Sequence, residues 1–262
     1  MKAVTANNSS NPKIKSKTIV LELKAVEKTY EGPPPVTALQ RVDLQVYAGD
    51  FAAIVGPSGS GKSTLLNIAS GLEKPTFGTV SLEGIDLASQ TAEALCELRR
   101  HKISFIFQSY NLFPVLSAVE NVEYTLLIRG DDKKEAREKA MECLQLVGLE
   151  DRAHHLPSEM SGGQQQRVAV ARALALRPSI IFADEPTANL DSKNALALID
   201  LFAALNKSHG MTFLISTHDH RVVERASRRI DIQDGQLIAS RASRAAETKI
   251  EAPHESHSEV RP

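Results

Sequence analysis

The amino-acid sequence predicts an α/β fold. Two observations carry that prediction: short apolar runs alternate with helical segments along most of the chain, and the runs end in glycine or in carboxylates, as strands of a buried parallel sheet do. A third agrees with them. The chain has 262 residues, 42% of them hydrophobic and 24% charged, enough to bury a sizeable core.

The elements follow in order. Ile19, Leu21 and Leu23 share one face of an extended segment, and Val42, Leu44 and Val46 share another, so the domain opens with strands separated by the turn-rich Glu31-Gly32-Pro33-Pro34-Pro35. Phe51–Val55 is a short apolar strand stopped by Gly56, and Lys62–Ser70 has no breaker and reads as a helix. Ile103–Phe107 is a second short strand. Asp131–Val147 is the clearest amphipathic helix, with Ala136, Ala140, Leu144 and Val147 on one face and Lys133, Lys134 and Glu138 on others. A further long helix runs from near Ser161 through Leu176. Ile180–Ala183 is a buried strand, Asp191 caps a helix to about Lys207, and Thr212–Ser216 is a strand. Ile230 and Ile232, then Asp234-Gly235, then Leu237 predict a hairpin. Between Phe107 and Ile180 no strand is evident, which predicts a helical insertion.

Composition narrows the function. Lys and Arg number 31 against 32 Asp and Glu, a formal net charge of -1, which argues against a dedicated nucleic-acid partner. No unbroken apolar run approaches the ~20 residues of a transmembrane helix, so any membrane span is expected from another chain. Cys96 and Cys143 stand in unrelated contexts without metal spacing, predicting free thiols in a reducing cytosolic compartment. Residues 1–17 are expected to be a disordered lead and residues 241–262 a polar tail, whose His254 and His257 are too few for a metal site. His154 and His155 read as surface histidines.

Gly56-Pro57-Ser58-Gly59-Ser60-Gly61-Lys62-Ser63-Thr64 fits the phosphate-binding pattern of Gly, four residues, Gly-Lys-Ser. Glycines let the backbone turn its N–H groups toward phosphate oxygens, and the helix beginning near Lys62 adds its positive end. Lys62 is placed to reach the β- and γ-phosphates, and the Ser63 hydroxyl to bind Mg²⁺. Ile180–Glu185 supplies the complement, because an apolar strand ending in two carboxylates sets both at the C-terminal edge of a parallel sheet. Asp184 is assigned to the Mg²⁺ shell and Glu185 to orienting the attacking water.

Ser161-Gly162-Gly163-Gln164 followed by Gln165-Gln166-Arg167 resembles the signature of ATP-binding cassette (ABC) ATPases, and four further features fall in that family's order. Tyr30 resembles the aromatic that stacks on adenine. Gln108 resembles the glutamine that touches Mg²⁺ and senses the γ-phosphate. Ala188-Asn189-Leu190-Asp191 resembles the loop joining the two sites of a dimer, and His218, after Ser216-Thr217, the histidine at the γ-phosphate. The likeness spans about Ile19–Ile238, with Met160 standing where the signature usually begins with Leu.

That resemblance implies a P-loop NTPase (RecA-like) core with an antiparallel β subdomain and an inserted helical subdomain near residues 109–165, all within 18–240. It implies ATP and Mg²⁺ as cofactors, with Glu185, His218 and Gln108 in catalysis, and a second copy paired head to tail so that Ser161–Gln164 of one chain faces the phosphate loop of the other. The dimer is expected to close on ATP and open after hydrolysis. It further implies integral membrane permease subunits as partners, gripped by a groove beside the apolar run Ser109–Leu116, and a peripheral position on the cytoplasmic face of the inner membrane.

Within the family, Phe107–Pro114, Glu120-Asn121-Val122 and Ala183–Asp191 resemble the lipoprotein-releasing and macrolide-exporter branch, whose permeases move lipoproteins, peptides or small molecules. A force-transmitting relative that controls cell-wall hydrolases shares the same motifs and is the alternative. Coiled-coil chromosome ATPases are excluded by the short separation of Gln108 and Ser161. A single phosphate loop disfavours the ribosome-associated type, and the presence of the signature a phosphotransferase.

Overall fold

The computed structural model describes residues 18–242; the N-terminal lead and residues 243–262 of the expected tail lie outside the described residues. The chain begins with β1 (Ile19–Tyr30), β2 (Val36–Tyr47) and β3 (Phe51–Val55), then α1 (Lys62–Ala69), β4 (Phe77–Leu82), β5 (Ile85–Asp86), α2 (Ala92–Lys102) and β6 (Ile103–Ile106). Three helices follow, α3 (Ala118–Arg129), α4 (Lys133–Leu146) and α5 (Gly162–Ala175). The order closes with β7 (Ile180–Asp184), α6 (Ser192–His209), β8 (Phe213–Thr217), α7 (His220–Arg225), β9 (Arg228–Gln233) and β10 (Gln236–Ala242).

Two sheets result. One is four-stranded and antiparallel, ordered β2-β1-β4-β5; the other is six-stranded, ordered β10-β9-β3-β8-β7-β6, and parallel except for β10. The pleat explains why the apolar runs are continuous. In β3, Phe51 and Ala53 face a core made with α3–α6, while Ala52 and Ile54 face a second core shared with α1, α2 and the antiparallel sheet. β7 repeats the division, Ile181 and Ala183 against Ile180 and Phe182. Phe51 and Phe202 meet Phe213 at tilted angles on one side of the sheet, and Phe105 stacks with Phe107 and Phe182 on the other. Each fully buried ring contributes on the order of 2–3 kcal/mol relative to exposure.

Local signals explain the helices. Ser117 caps α3 with a capping box closed by Glu120, and Gly130, at φ +101°, ends it in the left-handed conformation. Asp132 caps α4, and Ala136, Ala140 and Leu144 are buried on its expected face, as is Val147 just beyond its end. Asp191 caps α6 through the Asn194 amide.

Some boundaries differ from expectation. β10 continues through Arg241 and Ala242, because Ala242 still pairs with Arg228, so the first two residues of the expected tail belong to the sheet. β6 stops at Ile106, leaving Phe107 and Gln108 just beyond the strand. β4, β5, α2, α3 and α7 have no counterpart in the sequence reading. The strands among them are short and α3 carries apolar residues on several faces, so neither periodicity stands out.

Candidate functional site

The parallel register brings three strand ends together, Val55 opposite Thr217 and Asp184 opposite Ser216. The residues following those strands therefore gather at one edge of the sheet, where ligands of such folds bind.

The phosphate loop leaves β3 there. A Cβ at Gly56 would come within 2.2 Å of the Ile232 carbonyl, and one at Gly61, whose φ is +102°, within 2.5 Å of the Ala38 carbonyl. Only glycine satisfies both approaches. The loop turns on Ser60 N–H to the Pro57 carbonyl at 3.3 Å, and α1 starts at Lys62 with its first N–H groups facing the loop. Lys62 Nζ donates to the carbonyls of Gly56 at 2.9 Å and Pro57 at 3.0 Å, and stands 4.0 Å from Glu185 Oε1.

At the foot of α1, Ser63 Oγ donates to Asp184 Oδ1 at 3.2 Å. Ser216, fully buried on β8, donates its hydroxyl to the same carboxylate oxygen and accepts the Glu185 N–H at 3.2 Å. Glu185 sits at φ +46°, a left-handed conformation rare for a residue with a side chain and common at functional sites. Its Oε2 is 2.9 Å from His218 Nδ1, an ion pair whenever the ring is protonated. Next in the chain, the Asp219 N–H donates to Thr217 Oγ1, and the Arg221 guanidinium holds the Asp219 carboxyl below the usual carboxylate range.

Hard oxygen donors at Ser63 and Asp184, beside a glycine cradle and the unpartnered buried Ser60 hydroxyl, fit Mg²⁺ with phosphate oxygens, since Mg²⁺ takes one or two protein oxygens and completes its shell from phosphate and water. Among the described residues no cluster of three or more His, Cys, Asp or Glu side chains is placed to hold a metal ion.

Tyr30 lies beside the phosphate-loop helix. Its hydroxyl donates to Glu73 Oε2 at 2.9 Å and is 3.4 Å from Thr64 Oγ1, with Lys28 Nζ 5.0 Å from the ring centroid. Gln108 is engaged elsewhere: its Nε2 donates to Asn189 Oδ1 at 3.4 Å and its carbonyl accepts from Asn189 Nδ2 at 3.0 Å. The Asn189 loop is thus tied directly to Gln108.

Ser161 caps α5, its hydroxyl accepting the Gln164 N–H at 3.3 Å while Gln164 Oε1 accepts the Ser161 N–H at 2.9 Å. Its glycines are packed against neighbours, a Cβ at Gly162 falling 2.8 Å from the Tyr110 hydroxyl and one at Gly163 2.6 Å from Asn194. No described hydrogen bond or ion pair joins Ser161–Gln164 to residues 56–64.

Between β6, α2, α3 and α5 opens a groove of about 440 Å³, lined by Phe105, Phe107, Phe113, Tyr124, Ile128 and Leu176. Within Ser109–Leu116, Leu112 packs into the core, whereas Phe113 and Val115 are exposed and Phe113 meets Tyr124 edge-on at 5.0 Å. Ser216, Asn189 and Asp219 carry the second layer of contacts and were not singled out from the sequence as having such a role. Asn189 lies in the Ala188–Asp191 motif, whereas for Ser216 and Asp219 polar residues flanking a strand end are the signal, which becomes specific once the register is known.

A family model described as "ABC transporter" matches residues 39–188. An uncharacterized ABC transporter ATP-binding protein of Thermotoga maritima is 47% identical over 219 residues, 83% of this chain and 93% of the relative. The uncharacterized ABC transporter ATP-binding protein MJ0796 of Methanocaldococcus jannaschii is 46% identical over 223 residues, 83% of this chain and 95% of its own. A dimeric structure of a post-hydrolysis state of the MJ0796 cassette, bound to ADP and Pi, superposes with a TM-score of 0.78 at 44% identity, covering 86% of this chain and 99% of that one. The structure of cbiO1 from Clostridium perfringens, described as part of the ABC transporter complex cbiONQ, gives a TM-score of 0.80 at 25% identity, covering 89% and 92%.

Proposed function

The chain belongs to the ABC transporter ATP-binding family and is an ABC ATPase; from that premise we propose that it binds ATP with Mg²⁺, pairs head to tail with a second copy, and drives a separate membrane permease of the lipoprotein-releasing or macrolide-exporter type. The observation that carries this reading is the convergence of Lys62, the Ser63–Asp184 pair and the Glu185–His218 pair on one sheet edge around a glycine cradle.

Each residue has a stated task. The loop N–H groups and Lys62 hold the β- and γ-phosphates, Lys62 exchanging its carbonyl partners for phosphate oxygens. Ser63 and Asp184 hold Mg²⁺, which supplies neutralisation of charge on the phosphates. Glu185 accepts a proton from, and orients, the attacking water; the Ser216 hydroxyl fixes its backbone, and His218, 2.9 Å away, bears on both the carboxylate and the γ-phosphate. Tyr30 offers a ring face to the base. Gln108 reports the γ-phosphate to the groove through the chain that follows it.

The Ser161 turn supports the head-to-tail pairing, because its capped N-terminus suits phosphate and, among the described residues, makes no hydrogen bond or ion pair to its own phosphate loop. The dimeric MJ0796 cassette with ADP and Pi supports pairing of two copies. The groove supports a permease partner. Its aromatic floor fits an apolar helix end from the membrane subunit. Among the described residues no helix is long and apolar enough to cross a membrane; the peripheral position on the cytoplasmic face rests on the family.

The test is twofold. Glu185→Gln is expected to form a dimer on ATP by light scattering and to hydrolyse it very slowly; hydrolysis at the wild-type rate rejects the role given to Glu185. Affinity purification from detergent-solubilised membranes is expected to recover a permease with a large extracytoplasmic domain. Recovery with cell-wall hydrolase regulators instead assigns force transmission.

A further inference from the structure

Gln166, on the second turn of α5, is completely buried, an expensive location for an amide. Its Nε2 donates to the carbonyl of Pro186 at 2.8 Å and to that of Phe107 at 3.4 Å. Pro186 immediately follows Glu185, and Phe107 immediately precedes Gln108. One side chain therefore joins the loop that orients water, the loop that senses phosphate, and the helix whose first turn is Ser161–Gly163. Its Oε1 has no hydrogen-bond partner among the described residues, so packing alone would be served better by an apolar side chain of similar volume. The same helix grips the second loop again farther along, where Arg172 donates to the carbonyls of Tyr110 and Asn111. Both of those residues are in the left-handed conformation.

The geometry points to Gln166 as a positioning residue that sets the spacing between the Gln108 and Glu185 loops and binds both to the Ser161 turn. This rests on the head-to-tail pairing proposed above. There, the Ser161 turn of each chain faces the nucleotide of its partner, so the Gln166 amide makes one site's nucleotide felt at the other chain's Glu185. Gln166 thereby couples the two ATP sites of the dimer, a coupling that is reciprocal by linkage. The Gln108–Asn189 bonds close the same loop pair from the solvent side but do not reach α5.

The experiment compares the full chain with Gln166→Met, which keeps the length without the donors, and Gln166→Leu, which keeps most of the bulk in another shape. Wild type is expected to hydrolyse ATP cooperatively. Both variants are expected to lose about tenfold or more in kcat, as small displacements of reacting groups do, and to fall to a Hill coefficient near one. KM for ATP and the nucleotide-free melting temperature should stay close to wild type. Retention of kcat and cooperativity by either variant overturns the proposal, as does a collapse of the nucleotide-free melting temperature in both, which would assign the amide to packing. Non-cooperative wild-type hydrolysis overturns it too. ATP-driven dimerisation of Glu185→Gln keeps the two readings apart. If no dimer forms, the pairing fails, and the kcat of the Gln166 variants alone decides whether the clamp within one chain stands.

Discussion

Lys62 Nζ, from the phosphate loop, and Glu185 Oε1, from the end of β7, stand 4.0 Å apart, and their substitutions should separate binding from chemistry. Lys62→Ala removes the one ammonium placed for the β- and γ-phosphates and is expected to abolish ATP binding at ordinary concentrations, read by equilibrium binding of labelled ATP. Glu185→Gln preserves shape and hydrogen bonding but not the base, and is expected to lower kcat by roughly 10²–10⁴-fold while ATP still binds, the range for loss of general base catalysis. Weak ATP binding by Glu185→Gln would contradict that split. At this scale the sequence was informative wherever a residue type is dictated by chemistry. Gly56, Gly61, Lys62, Ser63, Asp184 and Glu185 stand out by motif and His218 by the family resemblance, and the structure brings all seven to one sheet edge. Ser216 was not legible in its role, since a serine at a strand end becomes a bridge between Asp184 and the Glu185 N–H only after β7 and β8 pair in register.

Among the elements, α3 depends most visibly on its first turn. Ser117 donates its hydroxyl to Glu120 and accepts the Glu120 N–H at 3.5 Å, and Glu120 Oε2 accepts the Ser117 N–H at 2.8 Å. Ser117→Ala should therefore cost about 1 kcal/mol, which lowers the melting temperature by about 2–4 °C in a domain this size; differential scanning calorimetry reads it, and no change would show that the cap is not sustained in solution. The Ser-x-x-Glu spacing of that cap stood in the sequence and could have placed α3, but apolar residues on several of its faces hide the helical period. α4 was legible for the opposite reason, a single apolar stripe on an otherwise charged helix. β4 is stabilised by pairing with β1, a long-range condition that no local pattern records, and the two-residue β5 by pairing with β4.

For the whole molecule, acid should be the vulnerable side. Arg129 and Lys139 hold the Asp131 carboxyl well below the usual carboxylate range, and Glu120, Asp219 and Glu83 are lowered by their own hydrogen-bond partners. Groups whose folded values are depressed stabilise the fold above their unfolded values near pH 4 and lose that contribution as pH falls toward the folded ones. The melting temperature is expected to be level near neutrality and to drop progressively below about pH 4–5. Asp131→Asn should be less stable than wild type at pH 7 by a few degrees, the gap narrowing as pH falls toward the folded value of Asp131; a gap that widens in acid would reverse the assignment. The α/β class and the helical insertion were legible because strand and helix periods alternate along the chain. The split into two sheets, and the burial of the parallel one on both faces, depend on which strands become neighbours.

α5 has a mechanical consequence. Ser161 caps one end, while Ala173 and Leu176 near the other line the aromatic groove. A helix of 14 residues is a stiff rod roughly 20 Å long. A tilt of about 5° imposed at the groove would sweep its capped end through nearly 2 Å, more than half the length of a hydrogen bond. The two ends thus behave as the arms of a lever, in which a load on one is delivered to the other as displacement.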